Sequence, residues 1–251
     1  MLVLCLLTGT ATACGSAEPA PGPAVEAGPT PDYEPGEACP TAAATPLRVS
    51  TPAGSSIGAV VLGSGPVAVV LAHQSDGDLC QWMPYATVLA GQGYRAVPFD
   101  FAGNGSSTLV GEATYVDDIA ALVAELRRTG VTKVVLMGAS MGGAMSIAAA
   151  TTIKPPVDAL VSVSAPGSYD GVNAAADAPS LAVPVLYAAG TADGNFGSTA
   201  QALSNATPAG LGQLELVDSS AHGVDLLTPR SPNTEALRVK IEQFLKAQTG
   251  S

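Results

Sequence analysis

Basic side chains are scarce in this chain: 10 Lys and Arg stand against 21 Asp and Glu, for a formal net charge of −11. Such a surface repels phosphate backbones, which excludes a general nucleic-acid binder. Aromatic residues make up 4% and charged residues 12%, so the composition by itself points to no activity. No apolar run reaches the ~18–20 residues of a membrane span. Two histidines and two cysteines expected below to pair with each other leave little to hold zinc, and no dinucleotide-binding fingerprint is present, so neither a metal nor a cofactor is expected. What the chain does have is apolar bulk: 47% of its 251 residues are hydrophobic. That suffices for one folded domain and not comfortably for two.

The start of the chain reads as an export signal. Met1 leads into the apolar run Leu2 to Leu7, followed by small residues up to Ala13 and then Cys14. This is the apolar core and cleavage region of a secretory signal, lacking a basic leading segment. Ala-Thr-Ala-Cys at 11–14 resembles a bacterial lipobox, which implies Cys14 as the lipid-anchored residue of a lipoprotein; ordinary cleavage in the same region is the alternative. From Gly15 to Pro46 there are eight prolines, five acidic residues and no basic one. Such a segment buries too little apolar surface to offset its ordering entropy, so residues 15–46 are expected to be a disordered tether. The protein is therefore expected outside the cytoplasm, either secreted or touching the membrane only through its N-terminal anchor. Cys5 leaves with the signal and Cys14 is the anchor candidate, which leaves Cys39 and Cys80. In an oxidising compartment the remaining pair is expected to form a disulfide.

From residue 47 onward, strand and helix patterns alternate. Leu47–Thr51 and Ile57–Leu62 flank the turn residues Pro52-Ala53-Gly54 and predict an antiparallel hairpin. Val67–Ala72 is continuously apolar, as a strand covered on both faces must be. Further strands are predicted at Tyr94–Phe99, Val134–Met137, Ala159–Ser164, Val183–Ala188 and Leu214–Val217. Helices are predicted at Trp82–Ala90, Tyr115–Arg128, Met141–Ala150 and Thr234–Lys246. The alternation implies a single doubly wound, mostly parallel α/β sheet with helices on both faces, filling a domain over 47–251. In such sheets chemistry collects in loops past the carboxyl ends of the strands.

Those loops hold the reactive residues. Gly138-Ala139-Ser140-Met141-Gly142 lies between a predicted strand and a predicted helix. That sharp turn would lift the Ser140 hydroxyl above the sheet, with a helix N-terminus behind it to stabilise negative charge. A serine needs a base to act as a nucleophile, and the histidines are His73, ending the third strand, and His222, past the last one. Asp193 follows the strand Val183–Ala188. Each could be structural on its own. Together, Ser140, Asp193 and His222 follow three different strands at the same edge of the sheet.

From about residue 47 to 246 the chain resembles the α/β-hydrolase superfamily, whose nucleophile, acid and base run in the order Ser…Asp…His. Ser140 matches the nucleophile elbow, Asp193 the acid loop and His222 the histidine loop. The segment Asp100-Phe101-Ala102-Gly103-Asn104-Gly105-Ser106-Ser107 resembles the family's Asp-x-x-Gly-x-Gly-x-Ser segment, and His73 with Trp82 resembles its His-Gly-x…Trp oxyanion loop. Gln74 replaces the usual glycine. The resemblance implies an α/β-hydrolase fold and a serine hydrolase with Ser140 as nucleophile, His222 as base and Asp193 as its orienting acid. Oxyanion donors would be the backbone N–H groups of Met141 and of Ser75, or of Gln74 if the loop is shifted. Asp100, which precedes Ser140, is read as a turn-stabilising carboxylate, and His73 as a residue that shapes the oxyanion loop.

Only residues 165–182 separate two successive predicted strands, which leaves no room for a large cap. An open site is expected, with Tyr169 and Phe196 as wall or packing residues, working as a monomer on small-molecule or polymeric carboxylic esters. Hydrolysis of thioester, lactone or peptide bonds, or a non-catalytic binding lipoprotein on the same fold, are the alternatives.

Overall fold

Hydrophobic alternation along two strands fixes the layout of the domain. The computed structural model describes residues 34–37, 39, 44–231 and 233–250. In β3 (Val67–Ala72) every residue is buried. Ala68, Val70 and Ala72 enter one core while Val67, Val69 and Leu71 enter another. In β5 (Lys133–Ala139), Val134 and Leu136 join the first core and Val135, Met137 and Ala139 the second. Successive side chains of a strand point to opposite faces, so a strand apolar at every position needs a layer of helices on each side.

The other strands are β1 (Thr45–Ser50), β2 (Ser56–Val61), β4 (Arg95–Phe99), β6 (Ala159–Val163), β7 (Val185–Gly190) and β8 (Gly212–Val217). They form one eight-stranded sheet in the order β1-β2-β4-β3-β5-β6-β7-β8. β1 and β2 pair antiparallel, as does β2 with β4, and the remaining pairs are parallel.

Helices α1 (Met83–Gly91), α2 (Tyr115–Arg128) and α3 (Met141–Thr152) follow β3, β4 and β5. The chain continues through the short α4 (Ala174–Asp177), α5 (Phe196–Ala206) and α6 (Thr234–Thr249). Helix α2 shows how sequence sets an element. Thr114 Oγ1 accepts from Asp117 N–H while Thr114 N–H donates to Asp117 Oδ2, a reciprocal cap. Ile119, Leu122, Val123 and Leu126 then face the core. Leu203 of α5 joins α2 and α3 over one face, whereas α1 and α6 cover the other.

The structure departs from the sequence reading in three places. A single 3-10 turn, Leu79–Trp82, precedes α1, which therefore starts at Met83 with Pro84 in its first turn, where a missing N–H is harmless. Helix α5, the crossover from β7 to β8, was not anticipated; its Ser-, Thr-, Gln- and Asn-rich sequence buries only Gly197, Ala200 and Leu203. Part of the expected tether is also ordered. Pro35 and Cys39 are buried, Gly36 lies against Val60, and Cys39 is disulfide-bonded to Cys80 with Cα atoms 5.3 Å apart. β1 itself begins at Thr45, ahead of the expected domain start. The readings for residues 1–14, Cys14 included, and for 15–33 lie outside the described residues.

Among the buried ionisable groups, one carboxyl lies in the packing of a helix. Asp118 of α2 is fully buried; its Oδ2 accepts from Ala102 N–H at 2.8 Å and its Oδ1 has no partner among the described residues. Burial, with the Asp117 charge beside it, raises its pKa from 3.8 to about 7, against a weaker lowering by the Ala102 hydrogen bond. An acid whose folded pKa lies above its unfolded one costs nothing below the unfolded value and progressively more as pH rises through the folded value. Asp118→Asn keeps an oxygen for Ala102 and removes the charge. Its melting temperature should exceed the wild type's by several degrees near pH 8, and the gap should shrink near pH 5, as measured by thermal denaturation.

Candidate active site

Parallel register brings the reactive loops to one level. Ala72 of β3 lies beside Gly138 of β5, Ala139 beside Val163 of β6, Val163 beside Ala188 of β7, and Gly190 beside Val217 of β8. The residues that follow these positions are His73, Ser140, Ser164, the loop to Asp193 and the loop to His222. All leave the sheet at its carboxyl edge.

Ser140 caps α3 with φ 49° and ψ −118°, a region costly for a residue with a side chain and held only by what surrounds it. Its N–H donates to Val163 C=O at 2.8 Å. Two glycines make the turn feasible. A Cβ at Gly138 would overlap the Gly142 carbonyl, and one at Gly142 would overlap the carbonyls of Ala72 and His73. The close approach of β3, β5 and α3 thus requires the bare backbone of the Gly-x-Ser-x-Gly pattern. Met141 is the first residue of α3, so its N–H has no carbonyl one turn behind it.

Asp193 and His222 meet. His222 Nδ1 lies 2.9 Å from Asp193 Oδ2 and 3.1 Å from Oδ1. A carboxylate can only accept, so Nδ1 carries the proton and Nε2 is left as the basic nitrogen. Asp193 is 7% exposed, whereas the His222 side chain is 32% exposed. The Phe196 ring packs on the imidazole with centroids 4.3 Å apart. Phe196 is thereby a wall of the base, and Tyr169 stands at the surface in the short β6–β7 connection. The Asp193 carboxylate has a second partner that sequence reasoning missed: Ser164 Oγ donates to Oδ2 at 2.8 Å. Ser164 ends the strand reading at a positive φ of 48°, and only its place at the same sheet edge could have pointed to it.

The loops carrying Ser140 and His222 touch. A Cβ built on Gly223 would sit 3.4 Å from the Ala139 side chain, which places the residue after His222 against the residue before Ser140. Among the described residues the Ser140 hydroxyl has no hydrogen-bond partner. Such contacts tighten when substrate binds.

The loop after β3 is braced throughout. His73 Nδ1 donates to the Gln74 carbonyl at 2.8 Å, and Phe101 N–H donates to His73 Nε2 at 3.1 Å. Gln74 N–H donates to Gln81 Oε1 at 3.3 Å, while Ser75 N–H has no partner among the described residues. Asp100 accepts from Leu79 N–H and from both Ser106 N–H and Ser106 Oγ, each at 2.7 Å. It knits two loops together and stands apart from His222's carboxylate partner. His73 likewise has both nitrogens engaged in structure.

This sheet order, with a serine on a left-handed strand-to-helix turn and a carboxylate–imidazole pair past the next strands, defines the α/β-hydrolase fold. The chain has the α/β-hydrolase fold. Residues 67–173 match the family described as serine aminopeptidase, S33, a span that includes Ser140 and ends before Asp193 and His222. Among solved structures it is similar to an esterase of Pyrococcus furiosus (TM-score 0.69, 16% identity, 82% of this chain and 91% of that one). It is also similar to a thermophilic esterase of Thermogutta terrifontis (0.67, 18%, 82% and 100%). A third is an enol-lactonase of Burkholderia xenovorans LB400 (0.67, 15%, 79% and 99%). No curated protein matches the sequence.

Burial lowers the pKa of His73, opposed by its bond to the Gln74 carbonyl and by the charges of Asp100 and Asp78. Its two bonds fix the neutral Nδ1–H tautomer. Nitrogen-15 NMR should show one histidine that keeps this tautomer as pH falls from about 8 through 6.

Proposed function

We propose that the protein is a serine hydrolase of carboxylic esters, with Ser140 as nucleophile, His222 as general base and acid, and Asp193 as the residue that orients and charge-stabilises the imidazole. The observation that carries the reading is the 2.9 Å bond between His222 Nδ1 and Asp193 on a loop packed against the Ser140 turn. His222 Nε2 takes the Ser140 proton as Oγ attacks the ester carbonyl carbon. The oxyanion accepts hydrogen bonds from Met141 N–H and Ser75 N–H. Ser75 is preferred over Gln74 because the Gln74 N–H is already bonded to Gln81. Collapse expels the alkoxide, which takes its proton from His222. Water, deprotonated by the same nitrogen, then releases the acid from Ser140. One oxyanion donor is worth about 2.7–4 kcal/mol of transition-state stabilisation.

Two features support esters that are accessible rather than buried in lipid. The connection between β6 and β7 holds only one turn each of α and 3-10 helix, and about a third of the His222 side chain is open to solvent. The Cys39–Cys80 disulfide supports a place outside the reducing cytoplasm.

Labelling with a fluorophosphonate probe, alongside p-nitrophenyl acetate turnover, tests this. Wild type should label at Ser140, Ser140→Ala should not label, and His222→Ala should lose on the order of 10⁴-fold or more in rate. The rate should rise with pH on a single ionisation, as His222 must be neutral to act. Labelling that survives Ser140→Ala removes the assignment. A wild type that neither labels nor turns over returns the fold to a binding role, and turnover restricted to aminoacyl amides moves the substrate class to peptides.

A further inference from the structure

The residue that departs from the superfamily pattern, Gln74, sits where the oxyanion loop meets the histidine loop, and its backbone N–H, its carbonyl and its side-chain oxygen are each engaged. Its N–H donates to Gln81 Oε1 at 3.3 Å, and its carbonyl accepts from His73 Nδ1 at 2.8 Å. Its side-chain oxygen crosses to the other loop and accepts from Val224 N–H at 3.2 Å. Val224 belongs to the 3-10 turn Gly223–Leu227, for which His222 is the N-cap residue and supplies no side-chain cap. The first N–H groups of any helical turn lack carbonyl partners. Gln74 provides the missing acceptor from the loop after β3. Gly223 leaves room for it: φ there is +55°, and a Cβ would overlap Gln74 Oε1.

We propose that Gln74 is a positioning residue that ties the loop offering Ser75 N–H to the loop carrying His222, so that oxyanion donor and base are held in one fixed relation. This rests on the hydrolase reading above. The arrangement explains how a side chain is accommodated where the superfamily pattern has glycine. One end of Gln74 is anchored by His73, itself bonded to Phe101 N–H, and Gln81 is anchored by the 3-10 turn that the Cys39–Cys80 disulfide and Asp100 hold. The far end, at Val224, lies two residues from the base. A glycine at position 74 would keep the backbone bonds and lose the only described side-chain link from this loop to the histidine turn.

Such a tie contributes to geometry needed in the transition state rather than to substrate binding, so its loss should appear in kcat. Gln74→Met preserves length and removes the acceptor; Gln74→Glu preserves an oxygen at the same reach. With p-nitrophenyl acetate, Gln74→Met should lower kcat about tenfold and leave KM within about twofold, and Gln74→Glu should recover most of the loss. Circular dichroism melting accompanies both, and if Gln74→Met does not fold, Gln74→Asn, which withdraws the oxygen by one methylene, is measured in its place. A wild-type kcat in the variant lacking the acceptor, a loss confined to KM, or an equal loss in Gln74→Glu overturns the assignment. Fluorophosphonate labelling of wild type separates the two readings. If wild type labels and turns over while Gln74→Met is unchanged, only the role of Gln74 falls; if wild type does neither, the hydrolase reading falls and the tie with it.

Discussion

The site depends on one backbone constraint, the left-handed turn at Ser140. A non-glycine residue in a sparsely populated conformation costs on the order of 1–3 kcal/mol and persists only where its surroundings determine it. Here they do so from three sides. β3 and β6 flank β5 in parallel register, the Ser140 N–H is fixed to Val163, and α3 begins at once with its glycine pressed against the carbonyls of Ala72 and His73. Relaxing the turn would require moving the centre of the sheet. The strain is therefore held by the buried cores on both faces of β5.

Around that fixed point the neighbouring loops are built as mutual supports. Asp193 is held by Ser164 as well as by the imidazole, and the loop after β3 by His73, Asp100, Gln81 and a disulfide. Charged groups in this region are thus of two kinds. Asp100 and Asp118 are buried and bonded to backbone N–H groups, whereas Asp193 faces a histidine that reaches solvent. Chemistry and architecture use the same side chains, and partners rather than residue type separate the roles.

Much of this was legible in the sequence because it follows from short-range rules. The continuous apolar run at 67–72, the capped amphipathic helix at 115–128 and the Gly-x-Ser-x-Gly turn each announce themselves within a few residues. The order of Ser140, Asp193 and His222 along alternating elements placed them at one sheet edge. The parts that were not legible depend on distant partners. Helix α5 buries Gly197, Ala200 and Leu203, of which only Leu203 is a large apolar side chain. The Ser164 contact arises from two strand ends 29 residues apart, and Gln74 meets a backbone N–H 150 residues on. The arm at 34–39 has a disordered composition, yet Pro35 and Cys39 find a surface on β2 and a bond to Cys80, which no local pattern encodes.

The packing of Phe196 on His222 has a consequence for how protons travel. Phe196 opens α5, and its N–H is bonded to the Asp193 carbonyl at 3.0 Å, so the residue that grips the imidazole by its edge and the one that covers its face share a single turn. The imidazole is thus held at Nδ1 by Asp193 and contacted by an aromatic ring tilted 53° to it. In the proposed cycle a hydrogen picked up during acylation stays on the nitrogen that must surrender it to the departing alcohol, and the incoming water meets that same atom. In that cycle Nδ1 stays committed to Asp193, so both transfers pass through Nε2.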